Sequence, residues 1–101
     1  MPEFVKVASV SQLSPGNAMT VEAKGQAIAL YNVSGKIFAT TNTCAHRGGP
    51  LGDGSLEGNH VTCPLHGWEY DVTNGKCVTM PTAHIQSYKT KLEGNDIFVE
   101  L

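Results

Sequence analysis

Apolar and polar residues alternate along this chain in short bursts, and turn-forming residues separate the bursts. Phe4-Val5-Lys6-Val7-Ala8 alternates weakly and predicts a first strand. Ser9 to Gly16 is a connection. Ser9 and Gln12 have the spacing to cap one helical turn there, and Pro15-Gly16 stops it. Ala18 to Glu22 predicts a second strand and Gln26 to Tyr31 a third, rich in Ile, Leu and Tyr, with Ala23-Lys24-Gly25 turning between them. Asn32-Val33-Ser34-Gly35 turns the chain again, into a fourth strand over Lys36 to Thr40. Further on, Leu56-Glu57-Gly58-Asn59 turns into a short strand, His60 to Thr62. Trp68 to Val72 and Lys76 to Thr79 read as strands joined by Thr73-Asn74-Gly75. Ile85 to Leu92 and Asp96 to Leu101 form a closing hairpin around Glu93-Gly94-Asn95. Turn signals about every ten residues predict an all-β sandwich or barrel.

The pattern breaks from Thr41 to Gly54. Cys44-Ala45-His46 sits there, and Cys63-Pro64-Leu65-His66 follows on the next short strand. Each half offers one thiolate and one imidazole, so together they are a candidate metal site. One tetrahedral zinc is a possible occupant, giving a zinc-stabilised interaction module. The order of ligands argues for something else. Zinc fingers pair Cys with Cys and His with His, whereas here each short motif mixes the two. A dinuclear centre explains the mixture, with each loop sending its Cys to one iron and its His to the other. The glycines between the motifs let the backbone approach a bound group closely.

Composition narrows the class. At 101 residues the chain is one small domain, which gains from a metal staple. A net charge of −2 leaves no basic footprint for nucleic acid or an anionic membrane. Met1-Pro2-Glu3-Phe4 has neither a basic nor an apolar leader segment, and no run reaches the ~18 apolar residues of a membrane span. A cytoplasmic monomer is expected. Three cysteines, two of them candidate ligands, make no disulfide framework.

The double motif resembles the Rieske [2Fe–2S] family. The matching residues are Cys44-x-His46 with Arg47-Gly48-Gly49-Pro50-Leu51 after it, and Cys63-x-x-His66 with Gly67-Trp68 after it. The resemblance runs from about Phe4 to Leu101 and implies a Rieske-like fold. In it a small antiparallel β base, from 1–40 and 83–101, carries a cluster-binding subdomain over about 41–82. It implies that Cys44 and Cys63 hold an inner iron and His46 and His66 an outer one. Met80-Pro81-Thr82 falls where the family has a proline-containing loop over the cluster. The chain looks most like the soluble ferredoxins of bacterial ring-hydroxylating dioxygenase systems, in aromatic hydrocarbon catabolism. It would then carry one electron at a time from a flavin-containing, NADH-dependent reductase to a terminal oxygenase. A fixed Rieske-like subunit of a larger reductase, such as a nitrite reductase, is the alternative.

No catalytic residue is expected. A mononuclear oxygenase iron would need a further domain that the chain is too short to hold. Asp53 and Glu57 read as solvated loop charges rather than an acid–base pair, and His60 and His84 as ordinary histidines. Cys77 reads as a small buried hydrophobe and Trp68 as core or cluster-shielding packing rather than a docking or electron-exit residue. Arg47 fits either a partner surface or bonding within its own loop.

The ligand set also bears on redox potential. Two thiolates leave an all-ferric cluster neutral where four leave it doubly negative, so replacing Cys by His makes reduction easier. High-potential family members add a disulfide between the ligand loops, at the positions of Gly49 and Leu65 here, and a serine donor where this chain has Trp68. Tyr70 matches the family's tyrosine donor. With donors missing, the midpoint is expected near the low end of the Rieske range, about −150 mV. A one-electron titration giving more than about +100 mV would contradict this ligand-sphere argument.

Overall fold

The computed structural model describes residues 3–45, 49–65 and 67–101. They form ten short strands in three antiparallel sheets, with two single 3-10 turns. β1 (Phe4–Ser9), β10 (Asp96–Glu100) and β9 (Thr90–Glu93) make one sheet in that order. β2 (Ala18–Ala23), β3 (Gln26–Val33), β4 (Lys36–Thr41) and β8 (Ser87–Tyr88) make the second. β5 (Ser55–Glu57), β6 (His60–Thr62) and β7 (Glu69–Asp71) make the third. Among the described residues there is no α-helix, which agrees with the all-β expectation.

The two hairpins that build the second sheet close on two-residue loops, Lys24-Gly25 and Ser34-Gly35. All four residues have positive φ, the turn whose twist matches that of the flanking strands. The resulting register alternates side chains across the sheet. From β3, Ile28 and Leu30 enter a core shared with Ala8, Leu13, Ile97 and Val99 of the first sheet's side. Ala29 and Tyr31 enter a second core with Leu51, Val61, Tyr70, Val72 and Ile85. All four β3 residues are fully buried, so the middle sheet has a core on each face. The Tyr31 hydroxyl lies 2.8 Å from Thr40 Oγ1, and Thr40 gives its own proton to the Thr41 carbonyl at 2.9 Å. Tyr31 is therefore the donor, and the buried polar chain is satisfied. Burial raises the Tyr31 phenol well above its ordinary range.

Several elements differ from the sequence pattern for identifiable reasons. The connection after β1 does hold one 3-10 turn, Val10–Gln12, and the Gln12 side chain accepts from the Ser9 N–H at 2.8 Å. The segment predicted as one strand from Ile85 to Leu92 is two. β8 pairs with β4, and past Lys89 the chain joins β10 in a different sheet. Leu56 and Glu57, predicted as turn, belong to β5. Lys76 to Thr79 is no continuous strand. Cys77 bridges Tyr70 on one side, and its N–H bonds the Ala83 carbonyl on the other. Gly75 approaches Ile85 so closely that a Cβ there would lie 2.1 Å from the Ile85 carbonyl oxygen, at a φ of 81°.

Gly75→Ala combines left-handed backbone strain with a backbone collision. It is expected to cost about 3 kcal/mol. Thermal unfolding followed by circular dichroism should show the midpoint lowered by more than about 10 °C.

Candidate metal centre

The two cysteines that begin the motifs meet in one place. Cys44 follows β4 and Cys63 follows β6, and both are buried in the core that also holds Tyr70 and Cys77. Each sits where the chain closes on itself through backbone hydrogen bonds. The first closes where the Cys44 N–H bonds the Gly49 carbonyl at 2.9 Å and Thr43 bridges Pro50. The second closes where the Cys63 N–H bonds the Trp68 carbonyl at 2.7 Å and the Gly67 N–H bonds the Cys63 carbonyl at 3.1 Å. His46 and His66, the other two candidate ligands, lie outside the described residues, as do Arg47 and Gly48.

The two loops pack against each other at Gly49. A Cβ added there would lie 2.7 Å from Cys63 Sγ and 3.0 Å from Leu65 Cγ. The absence of a side chain at position 49 is what lets the first loop lie this close to the second thiol. Gly49 and Leu65, the positions compared above with a disulfide in other proteins, are thus in contact. Neither is a cysteine, so no bridge ties the loops here.

Tyr70, at the centre of β7, is fully buried and reaches the first loop. Its hydroxyl accepts the Ala45 N–H at 3.0 Å and lies 3.3 Å from Cys44 Sγ. With the amide occupying a lone pair, the phenolic proton is free to point at the sulfur. Burial first, then the bond to Cys44, holds the phenol above its ordinary range, so it remains a proton donor. Tyr70 is thus placed as the sequence comparison anticipated.

The remaining singled-out residues sort by position. Cys77 is buried, as expected, but its sulfur also accepts the Met80 N–H at 3.3 Å, a role the sequence reading missed. The following segment is pinned further by the Val78 N–H on the Glu69 carbonyl at 2.7 Å and the Glu69 N–H on Thr79 Oγ1 at 2.9 Å. Trp68 is half-buried and packs on the core around the thiols. His60 lies opposite Glu57 on β5 and Asp71 on β7, on the outer face of the third sheet. His84 bridges Lys76 beyond the end of that sheet. Asp53 and Glu57 are both exposed, as expected of solvated charges. Leu65, 54% exposed, together with Val78 and Met80, leaves uncharged apolar surface on these loops. Among the described residues no helix is long and apolar enough to cross a membrane.

Known proteins resemble this chain in sequence and fold. The family model described as Rieske [2Fe-2S] domain matches residues 3–89. The ferredoxin component of a naphthalene 1,2-dioxygenase system from Pseudomonas aeruginosa is 34% identical over 100 residues, covering 98% of this chain and 96% of that protein. Among solved structures, a ferredoxin from Sphingomonas yanoikuyae B1 superposes with a TM-score of 0.89 at 29% identity, covering 98% of this chain and 99% of the other. Another match, with a TM-score of 0.87 at 28% identity over 95% of this chain and 91% of the other, comes from a complex of reduced oxygenase and oxidised ferredoxin in carbazole 1,9a-dioxygenase. Two thiols drawn into one core at the necks of paired loops, a tyrosine aimed at one of them, and a family match over most of the length lead to one assignment: the chain belongs to the Rieske [2Fe-2S] domain family.

Proposed function

We propose that this protein is the ferredoxin of a ring-hydroxylating dioxygenase system, taking electrons from a flavin-containing, NADH-dependent reductase and delivering them to a terminal oxygenase in the cytoplasm. Cys44, Cys63, His46 and His66 are the residues that would hold its [2Fe–2S] cluster, which when bound takes up and releases one electron. The described part of the donor set fits that group. Both thiols are buried, as ligands shielded from water need to be, and Gly49 leaves the space between the loops that a side chain would fill. The observation that carries the reading is the Tyr70 hydroxyl on Cys44 Sγ. A donor aimed at a ligand sulfur stabilises the state with more negative charge and so sets the potential.

The chain's own residues then do three things. Tyr70 holds a proton against Cys44. The Cys77–Thr79 segment, bonded to Glu69, braces the strand that carries Tyr70. Leu65, Val78 and Met80 offer apolar surface for brief contact with one partner after the other, and a small, weak interface suits rapid exchange. The ferredoxin components among the relatives favour a free carrier over a fixed reductase subunit.

The purified protein should be coloured, with a reduced-state EPR signal, and NADH plus a dioxygenase-system reductase should bleach its visible absorbance. Adding the matching oxygenase with its substrate should restore the colour under oxygen. Colourless protein holding one zinc per chain after anaerobic purification would sink the proposal. Tyr70→Phe removes the donor and should lower the midpoint by about 40 mV, the one-electron equivalent of roughly 1 kcal/mol of hydrogen bond. An unchanged midpoint in that variant would show that the hydroxyl does not act on the cluster.

A further inference from the structure

The geometry points to Asn42 as a positioning residue for electron transfer, the clamp that fixes the first ligand loop to the β framework. This inference rests on the electron-carrier reading above. Asn42 stands just past the end of β4, two residues before Cys44, and is 9% exposed. Four hydrogen bonds meet on it. Its N–H bonds the Ala27 carbonyl of β3 at 3.1 Å, and its carbonyl accepts the Leu51 N–H at 2.8 Å. Its side-chain Oδ1 accepts the Gly52 N–H at 2.7 Å and the Thr20 hydroxyl of β2 at 3.1 Å.

These partners belong to three different parts of the molecule. Ala27 and Thr20 are on adjacent strands of the middle sheet, whereas Leu51 and Gly52 are on the limb by which the ligand loop returns. A single side-chain oxygen therefore joins the outgoing limb, the returning limb and the sheet below. The returning limb has no slack. A Cβ at Gly52 would lie 2.1 Å from Thr20 Oγ1 and 2.8 Å from both the Met19 carbonyl carbon and the Thr20 nitrogen. The two limbs, at Asn42 and at Leu51–Gly52, are thus anchored onto one strand pair. Their anchoring keeps Cys44 under the Tyr70 hydroxyl, which belongs to a separate sheet. Asparagine suits the position because an amide oxygen carries two lone pairs without bringing a charge into a buried site. An apolar residue would leave two donors without a partner.

The test uses the cluster-loaded protein and its Asn42→Ala, Asn42→Asp and Thr20→Val variants. Three quantities are read: amide exchange at Leu51 and Gly52, the line width of the reduced-state EPR signal, and the midpoint potential. In Asn42→Ala, Gly52 exchange should quicken by at least about tenfold, the equivalent of one lost hydrogen bond. The EPR line should broaden and the midpoint should move in the same direction as in Tyr70→Phe. Asn42→Asp keeps an oxygen acceptor for both donors and should slow Gly52 exchange relative to Asn42→Ala, although it brings a charge that the parent lacks. Parent-like line width and midpoint in Asn42→Ala, even with a lowered melting temperature, would overturn the inference by making Asn42 a stability residue only. If Asn42→Ala fails to fold, Thr20→Val decides: a broadened line supports the clamp and an unchanged line refutes it. Exchange at Leu51 and Gly52 reads the clamp without reference to the cluster. A failure of the clamp is therefore distinguishable from a failure of the electron-carrier reading.

Discussion

A strand whose middle, from Ile28 to Asn32, has no solvent side organises this molecule. β3 is buried on both faces, giving Ile28 and Leu30 to one core and Ala29 and Tyr31 to the other. A sheet with one wet face tolerates polar residues at every second position, but one covered on both faces does not. The polar groups that do enter it must be paired internally. Tyr31 and Thr40 meet that requirement through one hydroxyl chain. Asn32 meets it through its side-chain amide, which bonds the Leu13 carbonyl at 2.9 Å and accepts the Gly35 N–H at 2.8 Å. Once β3 is fixed, the β1–β10–β9 sheet has one face on which to pack and the segment that carries Cys44 and Cys63 has the other.

That division places the chemistry. The segment between β4 and β8 is glycine-rich, and its three strands are only three residues each. Short strands of this kind have marginal stability by themselves. The segment is held by the apolar faces of Val61 and Tyr70, by the two cysteines, and by the middle sheet beneath them. The thiols, candidate ligands, are thus also part of the packing. A thiol in a core behaves as a small hydrophobe, so the apolar surroundings that bury the two thiols are the same ones that fold the loops. Tyr70 joins the two functions. Its ring fills the core while its hydroxyl reaches the sulfur.

The legibility of this arrangement was uneven. The candidate ligands stand out in the sequence because metal chemistry demands particular atoms at short spacing, and two mixed Cys/His pairs rarely arise without a metal to bind. The central hairpins were readable because Lys24-Gly25 and Ser34-Gly35 are turns that fix register locally. What failed was continuity. Ile85 to Leu92 looks like one strand because alternation reports which residues are half-buried, and nothing in it records that the chain changes sheets at Lys89. Lys76 to Thr79 looks like a return strand, but Cys77 bonds neighbours on both sides and the ladder does not extend.

The chain by itself determined the all-β class, the family, the identity of the candidate ligands and the lack of a disulfide between the loops, since each depends on residue type at fixed local spacing. The tertiary structure alone decided that β3 is covered twice, that the Tyr70 hydroxyl meets the Cys44 sulfur and that Asn42 ties both limbs of the first loop to β2. These are contacts between residues distant in sequence: Tyr70 reaches a cysteine 26 positions away, and Asn42 a threonine 22 positions away. Local propensity has no means of encoding such pairs. They exist only when packing against a common sheet brings their atoms within hydrogen-bonding reach.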